Sequence, residues 1–224
     1  MNSNRKSYSW QRVNCSYEKG LYMRIERVES LDKRKCKVFT DEDFAFLLYN
    51  GELEKYGVCE GAVLEERTER ELLDLLSRRA HERALNLLKV QDRTEGEMCR
   101  RLFQDGYPDS IVQETIGFLQ EYHFVDDARY AANYLQVHGK RKSQAELKLY
   151  LQRKGISREI IREQLEETEH DSGEAIRVLL EKKHYKAGET APEEEKKIIV
   201  YLMRRGFSWE DIRREMKEQE DALS

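Results

Sequence analysis

Three segments of this chain close in the same way, and that recurrence limits the possible folds more than any other feature. Leu102, Gly106 and Tyr107 form the first closure, Leu151, Gly155 and Ile156 the second, and Leu202, Gly206 and Phe207 the third. In each, a glycine lies four residues after a leucine and an apolar residue follows at once. This is how a helix ends: glycine adopts the left-handed conformation past the last turn, and the next residue packs back on it. Six residues beyond each glycine stand Val112, Ile161 and Ile212, and ten beyond it Ile116, Leu165 and Met216, which puts a second amphipathic helix after each closure. The helix before each glycine also has a repeated start. Thr94 with Glu97, Ser143 with Glu146 and Thr190 with Glu193 all have capping-box spacing. A further apolar segment lies upstream of each box: Ala84 to Leu88, Ala128 to Leu135 and Ala175 to Leu180. With the glycines 49 and 51 residues apart, the unit is a three-helix module of about fifty residues, repeated in tandem. From cap to glycine the copies measure 12, 12 and 16 residues, so the third is expected to carry one more helical turn.

Charged residues make up 38% of the 224 and the apolar set 39%, which predicts an elongated helical array with thin cores. Only two prolines, Pro108 and Pro192, interrupt it. Before the array the pattern differs. Residues 1–17 lack periodicity and are expected to be a tail. Residues 18–65 read as a small β-containing subdomain: a first strand through Leu21, Met23, Ile25 and Val28, a second through Cys36, Val38 and Phe39, and a third from Phe44 to Tyr49. Asn50-Gly51 closes that strand or opens a short helix through Leu53 and Tyr56. The expected organisation continues with a linker helix and the first repeat (66–125), the second repeat (126–171) and the third (172–220). A long helical pattern, one helix or two in series, begins near Thr68.

The joint between the first two repeats is the stretch from Phe124 to Ala131. An apolar pair ends one helix, and Asp126 and Asp127 open the next, where carboxylates accept bonds from unpaired backbone N–H groups and meet the positive end of the helix dipole. Arg129 is expected to steady this joint by pairing with a carboxylate. The two aspartates do not form a metal or acid pair, because neighbouring helix positions point apart. Catalytic loops and metal motifs are missing from the sequence, the five histidines are scattered, and Cys15, Cys36, Cys59 and Cys99 have no ligand spacing. A non-enzymatic protein without cofactor or metal follows from this. So does a cytoplasmic one, because neither a membrane span nor a signal-peptide pattern is present.

Phe124 to Ala131 resembles the F-[ILV]-D-D-x-R-[FY]-A signature of the RecX family of regulatory proteins. Leu147 to Ile161, with Lys154, Gly155 and Ile156, is similar to the segment that follows it in that family. The resemblance covers about residues 80–217 and, less specifically, the N-terminal subdomain. It implies a modulator of the RecA recombinase that binds the filament on single-stranded DNA, inhibits its growth, ATP hydrolysis and strand exchange, and so acts in recombination, DNA repair and the SOS response. The acidic insertion Glu189 to Glu195 departs from the pattern, either as a solvated loop with an early helix turn or as a changed partner surface.

The family has no catalytic motif to transfer, so the expected contact residues rest on charge. From Gly139 to Arg162 eight basic residues stand against two acidic ones, in a chain of net charge −4. Lys140, Arg141, Lys142, Arg153 and Lys154 form the first expected face, and Arg204, Arg205, Arg213 and Arg214 the second. The expected partners are the RecA filament and, weakly, single-stranded DNA, met by a monomer. Charge alone leaves open whether these residues meet DNA phosphates or an acidic protein surface. A helical DNA-binding transcriptional regulator is the alternative, since helix–Gly–helix pairs imitate a helix-turn-helix. A purely protein-binding scaffold is a further one.

Overall fold

The computed structural model describes residues 23–41, 45–168 and 172–222. Leu21 and Phe44 of the expected strands lie outside them, as do Cys15 and His170.

Strands β1 (Ile25–Ser30), β2 (Lys35–Thr40) and β3 (Ala45–Tyr49) form an antiparallel sheet in chain order. Along β2, Cys36 and Val38 point inward and pair with Leu48 and Phe46 of β3, the period of two that a half-buried strand requires. Phe39, between the inward-facing Val38 and Thr40, points the other way and carries the Arg27 guanidinium 4.3 Å from its ring centre. Asp32 closes the first turn by accepting bonds from the Arg34 and Lys35 N–H groups at 2.7 and 2.9 Å. Those bonds hold its carboxyl below the usual carboxylate range. The free edge of β1 is covered: Ile25 donates to the Ala62 carbonyl, Gly61 to the Ile25 carbonyl, and Val28 to the Glu60 carboxylate.

Asn50-Gly51 opens helix α1 (Asn50–Tyr56), which ends at Gly57 in the left-handed region. The long pattern is one helix, α2 (Glu66–Leu88), of 23 residues. Its Leu72, Leu76 and Ala80 pack under the sheet with Phe46 and Leu48, while Ala84 packs into the core of the first repeat. Full burial of each leucine contributes about 2 kcal/mol. One rigid element therefore belongs to two cores and joins the sheet to the array.

The first repeat is completed by α3 (Glu95–Gln104) and α4 (Asp109–Glu121). The second comprises α5 (Asp127–His138), α6 (Gln144–Lys154) and α7 (Arg158–Glu167), and the third α8 (Ser172–Lys182), α9 (Pro192–Arg204) and α10 (Trp209–Asp221). Each has its own core, built around Leu102, Leu151 and Leu202 respectively. The three closures have the expected geometry: Gly106, Gly155 and Gly206 have φ of 85°, 99° and 87°. Tyr107, Ile156 and Phe207 each donate back to the carbonyl of that leucine. His123 and His184 take the same left-handed role after α4 and α8, at φ of 55° and 57°.

The third capping box does not form. The N-cap of α9 is Ala191, with Pro192 in its first turn, and the Thr190 hydroxyl instead accepts the Lys186 N–H at 2.8 Å. Pro192 explains this, because its ring fits the first turn of a helix and disfavours a helical residue before it. The acidic insertion is thus a short turn followed by an early start of α9, where Glu193 and Glu194 pair with Lys196 and Lys197.

Candidate functional site

The two aspartates of the joint cap two different helices. Asp126 accepts the Arg129 N–H at 2.9 Å and caps its own helix, α5. Asp127 reaches back to the N-terminus of α3 and accepts the Glu95 N–H at 2.9 Å. Arg129 donates to the His123 carbonyl at 3.4 Å rather than pairing with a carboxylate, so it ties the start of α5 to the backbone that ends α4.

A second device holds the repeats in line, and it occurs twice. The Thr94 hydroxyl accepts the Glu97 N–H of its own helix and donates to the Lys154 carbonyl at the end of α6, at 2.7 Å. One repeat later, the Ser143 hydroxyl accepts the Glu146 N–H and donates to the Arg205 carbonyl at the end of α9, at 2.5 Å. Each hydroxyl is fully buried and satisfies an orphan donor of one helix and an orphan acceptor of the next. The capping-box glutamates complete the joints. Glu97 accepts the Lys154 ammonium at 2.6 Å, and Glu146 accepts the Arg205 guanidinium at 2.8 Å. The Glu97 bond holds the Lys154 ammonium above the ordinary lysine value. Small residues allow the close approach: Gly96 against Gly155, and Ala145 against Gly206.

These joints redistribute the expected contact residues. Lys154 and Arg205 are consumed between repeats, with side chains only 24% and 30% exposed, so they face a neighbouring repeat and not an open surface. Lys140, Arg141 and Arg153 are exposed, Lys140 lying 3.5 Å from Glu174. The Lys142 ammonium donates to the Tyr134 hydroxyl at 2.6 Å beside the parallel stack of Tyr134 on Tyr150, whose centroids are 4.0 Å apart. In the third repeat Arg204 is exposed beside Tyr201 and Val200. Arg213 lies over Trp209 and 3.9 Å from Glu195, and Arg214 pairs with Asp211 at 3.0 Å. Among the described residues there is no cluster of metal-ligating side chains, and no helix is long and apolar enough to cross a membrane.

Glu95 and Asp127 meet where the first two repeats join. Burial, followed by the neighbouring Asp127 charge, raises the Glu95 pKa, and burial likewise raises that of Asp127. A carboxyl whose folded pKa is raised binds its proton more tightly in the folded chain, so its ionisation costs stability as pH rises through that range. Glu95→Gln is therefore expected to raise the melting temperature at pH 7 and leave it unchanged near pH 3. Melting curves at the two pH values check this, and an equal shift at both would remove the electrostatic explanation.

Comparison with known proteins matches this arrangement repeat by repeat. The family models described as the first, second and third three-helix domains of RecX match residues 80–119, 126–165 and 171–216, together more than half of the 224 residues. The chain is 27% identical to regulatory protein RecX of Clostridium acetobutylicum, over 87% of this chain and 95% of that one. With regulatory protein RecX of Clostridium tetani the identity is 33%, over 58% and 62% of the two chains. Two crystal structures share the fold at 22% identity. One of regulatory protein RecX has a TM-score of 0.59 over 87% of this chain and 99% of that one. Another, of RecX from Lactobacillus salivarius, has a TM-score of 0.57 over 65% and 97%.

Proposed function

The chain belongs to the RecX family, and from that premise we propose that it binds the RecA recombinase filament on single-stranded DNA and inhibits its growth, ATP hydrolysis and strand exchange. The observation that carries this reading is the match of three successive repeats to the three RecX domains, in order. In this reading the protein is a non-catalytic regulator of recombination and repair, acting as a cytoplasmic monomer.

The repeated joints support the proposal. A filament offers the same surface at regular intervals, and two equivalent joints tie each of the three modules to the next. Lys140, Arg141, Lys142 and Arg153 form the principal contact face, with Arg204, Arg213 and Arg214 as its extension in the third repeat. Lys154 and Arg205 support that face from the joints. The exposed cations act through charge, which speeds encounter with an anionic filament and weakens as salt rises.

The test is RecA ATP hydrolysis on single-stranded DNA, titrated with this protein at ratios well below one per RecA. Loss of hydrolysis at substoichiometric protein is expected. Unchanged hydrolysis at an equimolar ratio, with the RecA of the same organism, would overturn the proposal.

A further inference from the structure

The first repeat carries a group of arginines that the charge count along the sequence does not single out. An open groove of about 480 Å³ runs beside α3, lined by Leu87, Arg93, Glu97, Arg100, Arg101 and Gln104. Its one carboxylate is already engaged, since Glu97 holds the Lys154 ammonium at 2.6 Å. The arginines are only partly satisfied. Arg100 donates to the Lys154 carbonyl at 3.2 Å, and Arg101 reaches Asp105 through one terminal nitrogen at 3.3 Å. Arg93 forms no ion pair among the described residues. The Nε atoms of Arg93 and Arg101 are both buried and lack an acceptor. Neither guanidinium is fully satisfied by the protein, and the N–H groups left over on these three arginines suit a ligand with several acceptor oxygens.

The corresponding groove of the third repeat makes the contrast. It is lined at the same distances before its glycine by Lys197, Val200, Tyr201 and Arg204, with Glu193 and Lys196 beside them. There Lys196 and Lys197 are paired with Glu193 and Glu194, and no buried nitrogen is left open. The difference lies in the lining residues.

We propose that Arg93, Arg100 and Arg101 form an oxyanion site in the first repeat that takes a phosphate group. Guanidinium groups suit this ligand because their fixed fork of N–H donors matches the oxygens of phosphate. The phosphate comes either from the backbone of a single-stranded nucleic acid or from a free nucleotide. The site does not depend on the recombinase reading, and its test uses no RecA.

Isothermal titration of the full chain at low salt, with pyrophosphate, ATP and an oligothymidylate in turn, distinguishes the cases. Pyrophosphate is expected to bind saturably at one site. Arg93→Gln should weaken it about tenfold, and Arg93→Lys less, because the charge remains while the fork is lost. Lys140→Gln should leave pyrophosphate binding unchanged. Stronger binding of ATP than of pyrophosphate, lost in Arg93→Gln, assigns the site to a nucleotide. An oligothymidylate affinity that falls in Arg93→Gln, with ATP no better than pyrophosphate, assigns it to a nucleic-acid backbone. Arg93 has no ion pair to lose, so this variant should fold as the parent does, which circular dichroism checks. Absence of saturable binding by all three probes, or equal binding by the parent and Arg93→Gln, would overturn the site.

Discussion

Gly155→Ala is expected to destabilise the protein by about 3 kcal/mol, the sum of a left-handed backbone penalty and a forced contact. The φ of 99° disfavours any side chain, and an added Cβ would lie 3.0 Å from the Gly96 Cα, on backbone that cannot turn aside. On a chain of this size that corresponds to a fall in melting temperature of roughly 6–12 °C. Gly96→Ala separates the two causes. Gly96 lies within α3, where alanine ordinarily gains about 1 kcal/mol over glycine. Here its Cβ would stand 3.0 Å from the Gly155 Cα and 3.1 Å from the Lys154 carbonyl oxygen. The joint therefore predicts a net loss of stability where propensity alone predicts a gain. A higher melting temperature for Gly96→Ala would mean that the two repeats do not meet in this way.

Reversing Lys140, Arg141 and Arg153 to glutamate is expected to raise the concentration needed for half-inhibition of RecA ATP hydrolysis at least tenfold, with little change in melting temperature. All three are exposed, and such surface charges contribute little to folding. Lys154→Glu should behave differently. It removes the partner of Glu97, whose side chain is only 17% exposed, and places a second carboxylate beside it. Loss of inhibition should then come with a lower melting temperature. Measuring both quantities for both variants distinguishes a contact face from a joint. Full inhibition by the triple variant would move the contact away from the second repeat.

The contrast between Lys154 and its neighbour Arg153 also shows where sequence reasoning stops. Both lie in the last turn of the same helix and carry the same charge, and nothing local separates them. Arg153 faces solvent, whereas Lys154 meets a glutamate 57 residues away. Asp127 poses the same problem: its spacing suits a cap for its own helix, and it caps another helix 32 residues earlier. Arg93, Arg100 and Arg101 were invisible for a related reason. Asp92, Glu95, Glu97 and Asp105 balance them along the chain, and only burial and pairing in space show which charges remain open.

What the sequence determined by itself is what depends on neighbours a few residues apart. The leucine–glycine closures, the Thr94 and Ser143 boxes, the amphipathic periods and so the three-helix repeat all arise from backbone bonds within one or two turns. Even the exception at Thr190 is local, since Pro192 two residues later decides it. The tertiary structure decided which polar groups face one another across repeats. That choice depends on the rotation between modules, which is set by Gly96 meeting Gly155 and Ala145 meeting Gly206, contacts between residues far apart in the chain.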